Sequence, residues 1–499
     1  MTRILITALL FASILTANSQ HLTILHSNDT HSQIDPTEAP EDLGGVIRRK
    51  AIIDSVRNAT PNPVMLVDAG DAVQGTMFFT LFGGEVEQKL LNHLGYDIQI
   101  LGNHEFDNGM ERLAANLRNA KPVVLSTNYD VDSTALRGLI RPYYVREIDG
   151  KKVGFIAINI EPAGLIDYAN WKGLRYLDGY DAANAMAWYL KHIEKVDRVV
   201  AITHIGWDDS NGLNDQQLAS RSKDIDVIIG GHSHTLLNPA PYVSNAAGDS
   251  VLVVQTGSKG LWLGQVDIDL SENGSASSKL YKLTASKNKS DEVIEAIISP
   301  YRQKADSVGA VKIGRAAIDF PQDSQQLLNL LSDFVASRGE EISGANIDIA
   351  IMNKGGIRNG LSKGSITKGD IMTMLPFDNK IVVLELKGKD LLENIEIMCS
   401  QNGQGVSSGV YISYGADLKP ISATIDGKPV EPDRIYRVAT ISYLANGGDY
   451  MKPLTRGHIL AQSDSVIFND IIDSLEHGAL KGRKLKADDN PRMYLKKWN

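Results

Sequence analysis

Five apolar runs of strand length stop abruptly at residues that can hold a metal ion, and this recurrence restricts the fold more than any other feature of the chain. His21-Leu22-Thr23-Ile24-Leu25 leads into Asn28-Asp29-Thr30-His31, and Val64-Met65-Leu66-Val67 into Asp68-Ala69-Gly70-Asp71. Ile98-Gln99-Ile100-Leu101 leads into Gly102-Asn103-His104-Glu105-Phe106-Asp107. Arg198-Val199-Val200-Ala201-Ile202-Thr203 closes on His204, and Val227-Ile228-Ile229 on Gly230-Gly231-His232-Ser233-His234. Segments of helical spacing, such as Gly45 to Asp54 and Glu87 to Leu94, alternate with these runs. Strands alternating with helices predict an α/β layered domain, whose ligands gather beyond the strand ends.

Asp29, His31, Asp71, Asn103, His204, His232 and His234 are the candidate metal ligands. Asp29 and His31 stand two apart, so an extended segment projects both to one side, and Gly70 suits a tight turn that turns Asp71 outward. Each residue alone also reads blandly: Asp71 as a cap, His204 as a core histidine, His232 and His234 as a surface turn. Five strand ends that all supply N or O donors are harder to explain so. A thiolate-free shell of His, Asp and Asn suits Zn, Mn or a similar divalent ion, and seven side chains are too many for one site, so two ions are expected. His104 can donate a proton, and Asp107 can fix its tautomer.

With 499 residues the chain exceeds one ordinary core, and two domains are expected. A net charge of -9, from 51 basic and 60 acidic residues, argues against attraction to a nucleic acid polymer or anionic lipid. Arg3, the apolar stretch Ile4 to Leu15 and the small residues Ala17 and Ser19 predict a secretory signal cut after Ser19. The mature protein is thus expected to be exported, periplasmic or secreted. No other run approaches the ~20 apolar residues of a spanning helix, so no stable membrane insertion is expected. The last residues, Arg492 to Asn499, lack the hydrophobic tail of a lipid-anchor signal. Cys399, the single cysteine, reads as a small buried hydrophobe.

Composition turns polar at Ser286-Lys287-Asn288-Lys289-Ser290 and then helical, with Val293, Ile294, Ile297, Ile298 and Tyr301 on one face. Ser290 is the expected N-cap, and Pro300 is expected to kink or split the helix. Beyond it, the strand-like Ile347 to Met352 runs into Asn353-Lys354-Gly355-Gly356-Ile357-Arg358, where glycines admit a ligand and Arg358 offers a fork of donors. Phe377 and Tyr443 can sandwich a planar base and Asp449 can accept from a ribose, although core packing is the usual fate of such rings.

Together, Asn28-Asp29-Thr30-His31, Gly70-Asp71 to Thr76, Gly102-Asn103-His104-Glu105, Thr203-His204 and Gly230-Gly231-His232-Ser233-His234 resemble the calcineurin-like metallophosphoesterases, specifically the exported two-domain 5′-nucleotidase family. The resemblance implies a four-layer metallophosphoesterase sandwich plus a second α/β nucleotide-binding domain. It implies that Asp29, His31, Asp71 and His234 hold one ion and Asp71, Asn103, His204 and His232 the other, with Asp71 bridging. His104 looks like the family's catalytic histidine, supported by Asp107, and Asn353, Arg358, Phe377, Tyr443 and Asp449 look like its nucleotide-binding residues. The expected organisation is a signal at 1–19, a phosphoesterase domain at 20–285, a linker helix region at 286–314 and a nucleoside-binding domain at 315–499. The expected reaction is hydrolysis of nucleoside 5′-monophosphates, small-molecule substrates, by a water that two divalent ions activate. Nucleotide-sugar pyrophosphates and 2′,3′-cyclic nucleotides are the alternative substrates, and a non-catalytic nucleotide-binding surface protein is the alternative class. One departure stands out: the family usually carries an Arg before a Gly-Asn-Leu stretch, and Asp323-Ser324-Gln325-Gln326-Leu327-Leu328-Asn329-Leu330 has neither that Arg nor that Gly.

Overall fold

Alternation along each strand assigns its residues to opposite faces, and this builds four layers. The computed structural model describes residues 21–37, 41–208, 212–272, 274–285 and 290–496; the signal expected at 1–19 lies outside them, as do 286–289 of the expected linker. One six-stranded sheet runs, edge to edge, through Ala276–Lys282, Trp262–Asp269, His21–Ser27, Val64–Asp68, Ile98–Ile100 and Val123–Leu125. A second runs through Tyr242–Ser244, Ser250–Val254, Val227–Ile229, Arg198–His204, Lys151–Asn159 and Tyr143–Ile148. Leu22, Ile24, Met65, Val67 and Ile98 of the first sheet meet Val153, Phe155, Val200, Ile202 and Val227 of the second in one buried layer.

The intervening residues face outward. Leu25 and Leu66 pack under the helices Val46–Ala59 and Glu85–Leu94. On the far side, Ile156, Ile158, Val199 and Ala201 pack under Gly179–Tyr189 and Asp215–Arg221. The expected α/β sandwich is therefore built as helix, sheet, sheet, helix. Strands 21–27, 64–68 and 98–100 run parallel, as do 151–159, 198–204 and 227–229. All the ligand-bearing ends accordingly leave the sandwich at one edge.

The second α/β unit centres on a five-stranded sheet ordered Gly405–Val406, Ile349–Met352, Ile435–Ile441, Lys380–Lys387 and His458–Val466, with Gln325–Ser343 packed across it. Cys399 is buried in its core, and burial pushes the thiol up to about 11, as befits a packing residue. Between the units runs the helix Glu292–Gly309. Asp291, not Ser290, caps it: its carboxylate accepts the N–H groups of Val293 and Ile294 at 3.1 and 2.9 Å. Pro300 does not split it: the helix runs on to Gly309, with Ile294 and Ile298 before the proline and Tyr301 after it packed in the first unit's core. Val293 lies off that face, 54% exposed. Among the described residues no helix is long and apolar enough to cross a membrane.

His26 is a buried titratable group in the strand His21–Ser27, 1% exposed and packed on Gly264, where a Cβ would come 2.0 Å from the imidazole Nε2. Burial lowers its pKa from 6.5 to about 3. Between these values the unfolded chain binds a proton that the folded chain refuses, so stability is full above 6.5 and falls as pH drops through the window. The loss amounts to about 2 kcal/mol near pH 5. Thermal melting of His26→Gln should therefore decline less than that of the natural protein between about pH 7 and pH 5, whatever its offset. Parallel declines would contradict the assignment.

Candidate metal and substrate site

The predicted ligands leave the strands in turns, not in extended chain. Regular structure ends at Ser27, and Asp29, His31 and Asp71 adopt φ values of 49°, 48° and 53°, with His232 and His234 at 82° and 56°. Left-handed backbone is costly for residues with a Cβ, and such strain concentrates at functional sites. Asp29 and His31 thus share one side by a turn, which corrects the extended-chain expectation. Backbone bonds hold these turns: Asp29 N–H donates to Gly70 O at 2.9 Å and His31 N–H to Asp71 O at 3.1 Å. Gly70 takes φ 89°, and a Cβ on it would lie 2.7 Å from Gly102 N. Asp71 is turned inward, not outward, and is 2% exposed.

Two groups of ligand atoms result. Asp29, His31 and His234 form one, and Asp71, His204 and His232 the other, the atoms within each lying within 4.8 Å of one another. Asn103 joins the second, its Oδ1 2.9 Å from His232 Nδ1. The groups adjoin, His204 Nε2 lying 3.1 Å from Asp71 Oδ2 and 3.9 Å from Asp29 Oδ1.

The donor chemistry fits cations. His204 Nδ1 donates to Ala69 O at 2.7 Å and so aims Nε2 at the two carboxylates, where the neutral ring would offer a lone pair to a cation. His31 Nε2 and His234 Nε2 stand 2.8 Å apart. Burial holds His232 at about 3 and His234 at about 4, so both imidazoles are neutral, the ligating form. Burial raises Asp29 to about 7 despite the pull of His204. Burial opposes charging His204, but Asp71 and Asp29 outweigh it and bring that group to about 10. The cluster thus borrows a proton as its cation.

His104 lies beside the groups, its Nδ1 2.8 Å from Asp107 Oδ2. An Arg358 Nη2 donates to His104 Nε2 at 3.0 Å; since arginine has only donors, His104 accepts there and carries its proton on Nδ1, toward Asp107. Burial resists charging His104, yet Asp107 and Asp71 raise its pKa overall. The dyad opens onto a cleft of about 680 Å³ between the two units, also lined by Asn353, Phe377, Tyr443 and Asp449.

All five residues expected to hold a nucleotide converge here. Phe377 lies 5.8 Å from the His104 ring and 5.2 Å from the Arg358 guanidinium. Asp449 accepts from Asn353 Nδ2 at 2.8 Å and from Tyr443 Oη at 2.9 Å. Where the familiar Arg is missing, Gln322 donates to Ile357 O, Ser324 caps a helix and Asn329 bonds Asp488 and Asn490. No cation replaces it in those bonds. Two further residues stand at the site: Glu105, and Gly164, whose carbonyl oxygen lies 3.3 Å from Tyr443 Oη across the cleft. A buried carboxylate beside a ligand signals the first; nothing local signals the second.

Known proteins share this layout. Residues 22–236 match the calcineurin-like phosphoesterase family and residues 308–456 the 5′-nucleotidase C-terminal domain. The trifunctional nucleotide phosphoesterase YfkN of Bacillus subtilis is 29% identical over 91% of this chain, which spans 34% of that protein. Rat 5′-nucleotidase is 29% identical over 94% of the chain and 91% of its own length. A snake venom 5′-nucleotidase of Gloydius brevicauda is 28% identical over 91% of the chain and 87% of its own length. The crystal structure of a 5′-nucleotidase precursor from Thermus thermophilus superimposes with a TM-score of 0.83 at 28% identity, covering 95% of this chain and 99% of that one.

Proposed function

The chain belongs to the two-domain 5′-nucleotidase family of metal-dependent phosphoester hydrolases, and from that premise we propose that it converts nucleoside 5′-monophosphates to nucleoside and phosphate. The observation that carries this reading is the shared cleft, in which the His104–Asp107 dyad beside both ligand groups faces Phe377, Tyr443 and Asp449 of the second unit. Two divalent ions, Zn, Mn or similar, held by Asp29, His31 and His234 and by Asp71, Asn103, His204 and His232, would lower the pKa of a water and offset charge on the phosphoryl oxygens. Asp71, which adjoins both groups, would be available to either ion.

His104 is the residue that meets the leaving oxygen. For that role Nε2 must take up a second proton from solvent while Nδ1 keeps its own, which requires Arg358 to turn away from the imidazole. An entering phosphate supplies the new partner, because the guanidinium fork matches its oxygens. Asp107 then holds the imidazolium through Nδ1. Phe377 and Tyr443 receive the base, while Asp449, fixed by Asn353 and Tyr443, keeps lone pairs for ribose hydroxyls. We assign phosphoesterase chemistry to 20–285, nucleoside choice to 315–499 and the connection to 286–314, with 1–19 as an export signal to the periplasm or beyond; the venom relative supports export.

Purified mature protein, assayed with Mn or Zn on AMP, UDP-glucose and 2′,3′-cyclic AMP, should prefer AMP and lose turnover to a chelator. Preference for either competitor would overturn the substrate, and metal-independent turnover the mechanism. His104→Ala should lower kcat on the order of 10²–10⁴-fold with both ions retained. Near-normal turnover would refute the role given to His104.

A further inference from the structure

We propose that Glu105 is a positioning residue that locks the turn bearing Asp71 to the turn bearing Asn103 and His104. Its Oε2 accepts the N–H groups of Gly102 at 2.6 Å and Asp71 at 3.1 Å, and its Oε1 accepts that of Ala72 at 2.9 Å. The lock is reciprocal, for the His104 N–H donates to Asp71 Oδ1 at 2.9 Å. One carboxylate thus crosses from the second turn to the first, and another returns.

The two turns need such a lock because their backbones are in contact. A Cβ on Gly102 would lie 2.1 Å from Asp71 Oδ1 and 2.6 Å from Asp71 N, so glycine is what permits the approach, and three converging N–H groups then repel one another unless acceptor oxygens sit among them. Glu105 supplies those oxygens. It does not line the substrate cleft but a small cavity of about 30 Å³ behind it, which separates its action from substrate contact. With Glu105 in place, Asp71 Oδ2 is held toward His204 while His104 Nε2 stands 4.0 Å from it. Without it, Asp71 retains only the His104 amide from the facing turn. A glutamine cannot substitute, since its NH₂ brings a donor to amides that themselves donate.

The inference rests on the two-ion reading above. Its test uses the full mature chain as the natural protein, Glu105→Gln and, as a control, Glu87→Gln, which alters a neighbouring buried carboxylate, 5% exposed, that makes no contact with either turn's amides in the bonds above. Loaded with manganese, the natural protein should bind two ions and give the EPR signal of an exchange-coupled pair. Glu105→Gln should weaken the second ion roughly 10–100-fold, alter or abolish the coupled signal, and lower kcat by a similar factor with KM nearly unchanged. Glu87→Gln should keep ion affinity and signal. Natural affinity and signal in Glu105→Gln, or an equal loss in Glu87→Gln, would overturn the proposal. Should Glu105→Gln not fold, Glu105→Asp, which keeps the charge with one methylene less reach, is read by the same criteria. Failure of the natural protein to bind a pair would instead count against the two-ion reading itself.

Discussion

The molecule is organised by an electrostatic crowd that only cations resolve. Asp29 and Asp71, both buried, share one edge of the sandwich with four imidazoles, and the His31 and His234 nitrogens nearly touch. Taking a carboxylate out of water is expensive, and two of them beside unshared imidazole lone pairs are more so. Without metal, protonating His204 relieves part of the cost. The four-layer core supplies the rigidity that keeps the turns in place, since the ligands ride on parallel strands whose flanks are packed on both faces. Left-handed φ at five of the ligand positions is a second cost that this framework sustains.

The same crowding explains how the second unit engages the first. Arg358 is half-buried and, beside its contact with His104, is drawn by Asp107 and Asp71, although desolvation lowers its pKa. On the opposite wall, Gly164 O accepts from Tyr443 Oη and Tyr450 N–H, and Asn446 donates to Asp167 at 2.9 Å. A Cβ on Gly164 would come 2.8 Å from the Tyr450 ring, so this contact depends on glycine. The cleft is thus framed by polar bonds between the units.

Much of this is written locally. Apolar alternation in Leu22 to Leu25 and Val64 to Val67 fixes which sheet face is inner, and an abrupt change to Asp, Asn or His marks each strand end. What joins those ends is not local. The turn conformations of Asp29 and His31 are set by Gly70 and Asp71, about 40 residues away, and spacing within the segment carries no trace of them. Asp291 displaced Ser290 as the cap because one carboxylate satisfies two amides there, a geometry that depends on where the helix starts. Glu105 and Gly164 act through partners on other elements, and neither stands in a pattern that spacing alone reveals.

Anomalous diffraction from crystals of the mature protein loaded with manganese tests the central claim directly. Two peaks are expected, each about 2.0–2.3 Å from N or O donors. One should fall among Asp29, His31 and His234 and the other among Asp71, Asn103, His204 and His232. A single peak, or peaks away from these side chains, would contradict a two-ion centre assembled from five strand ends.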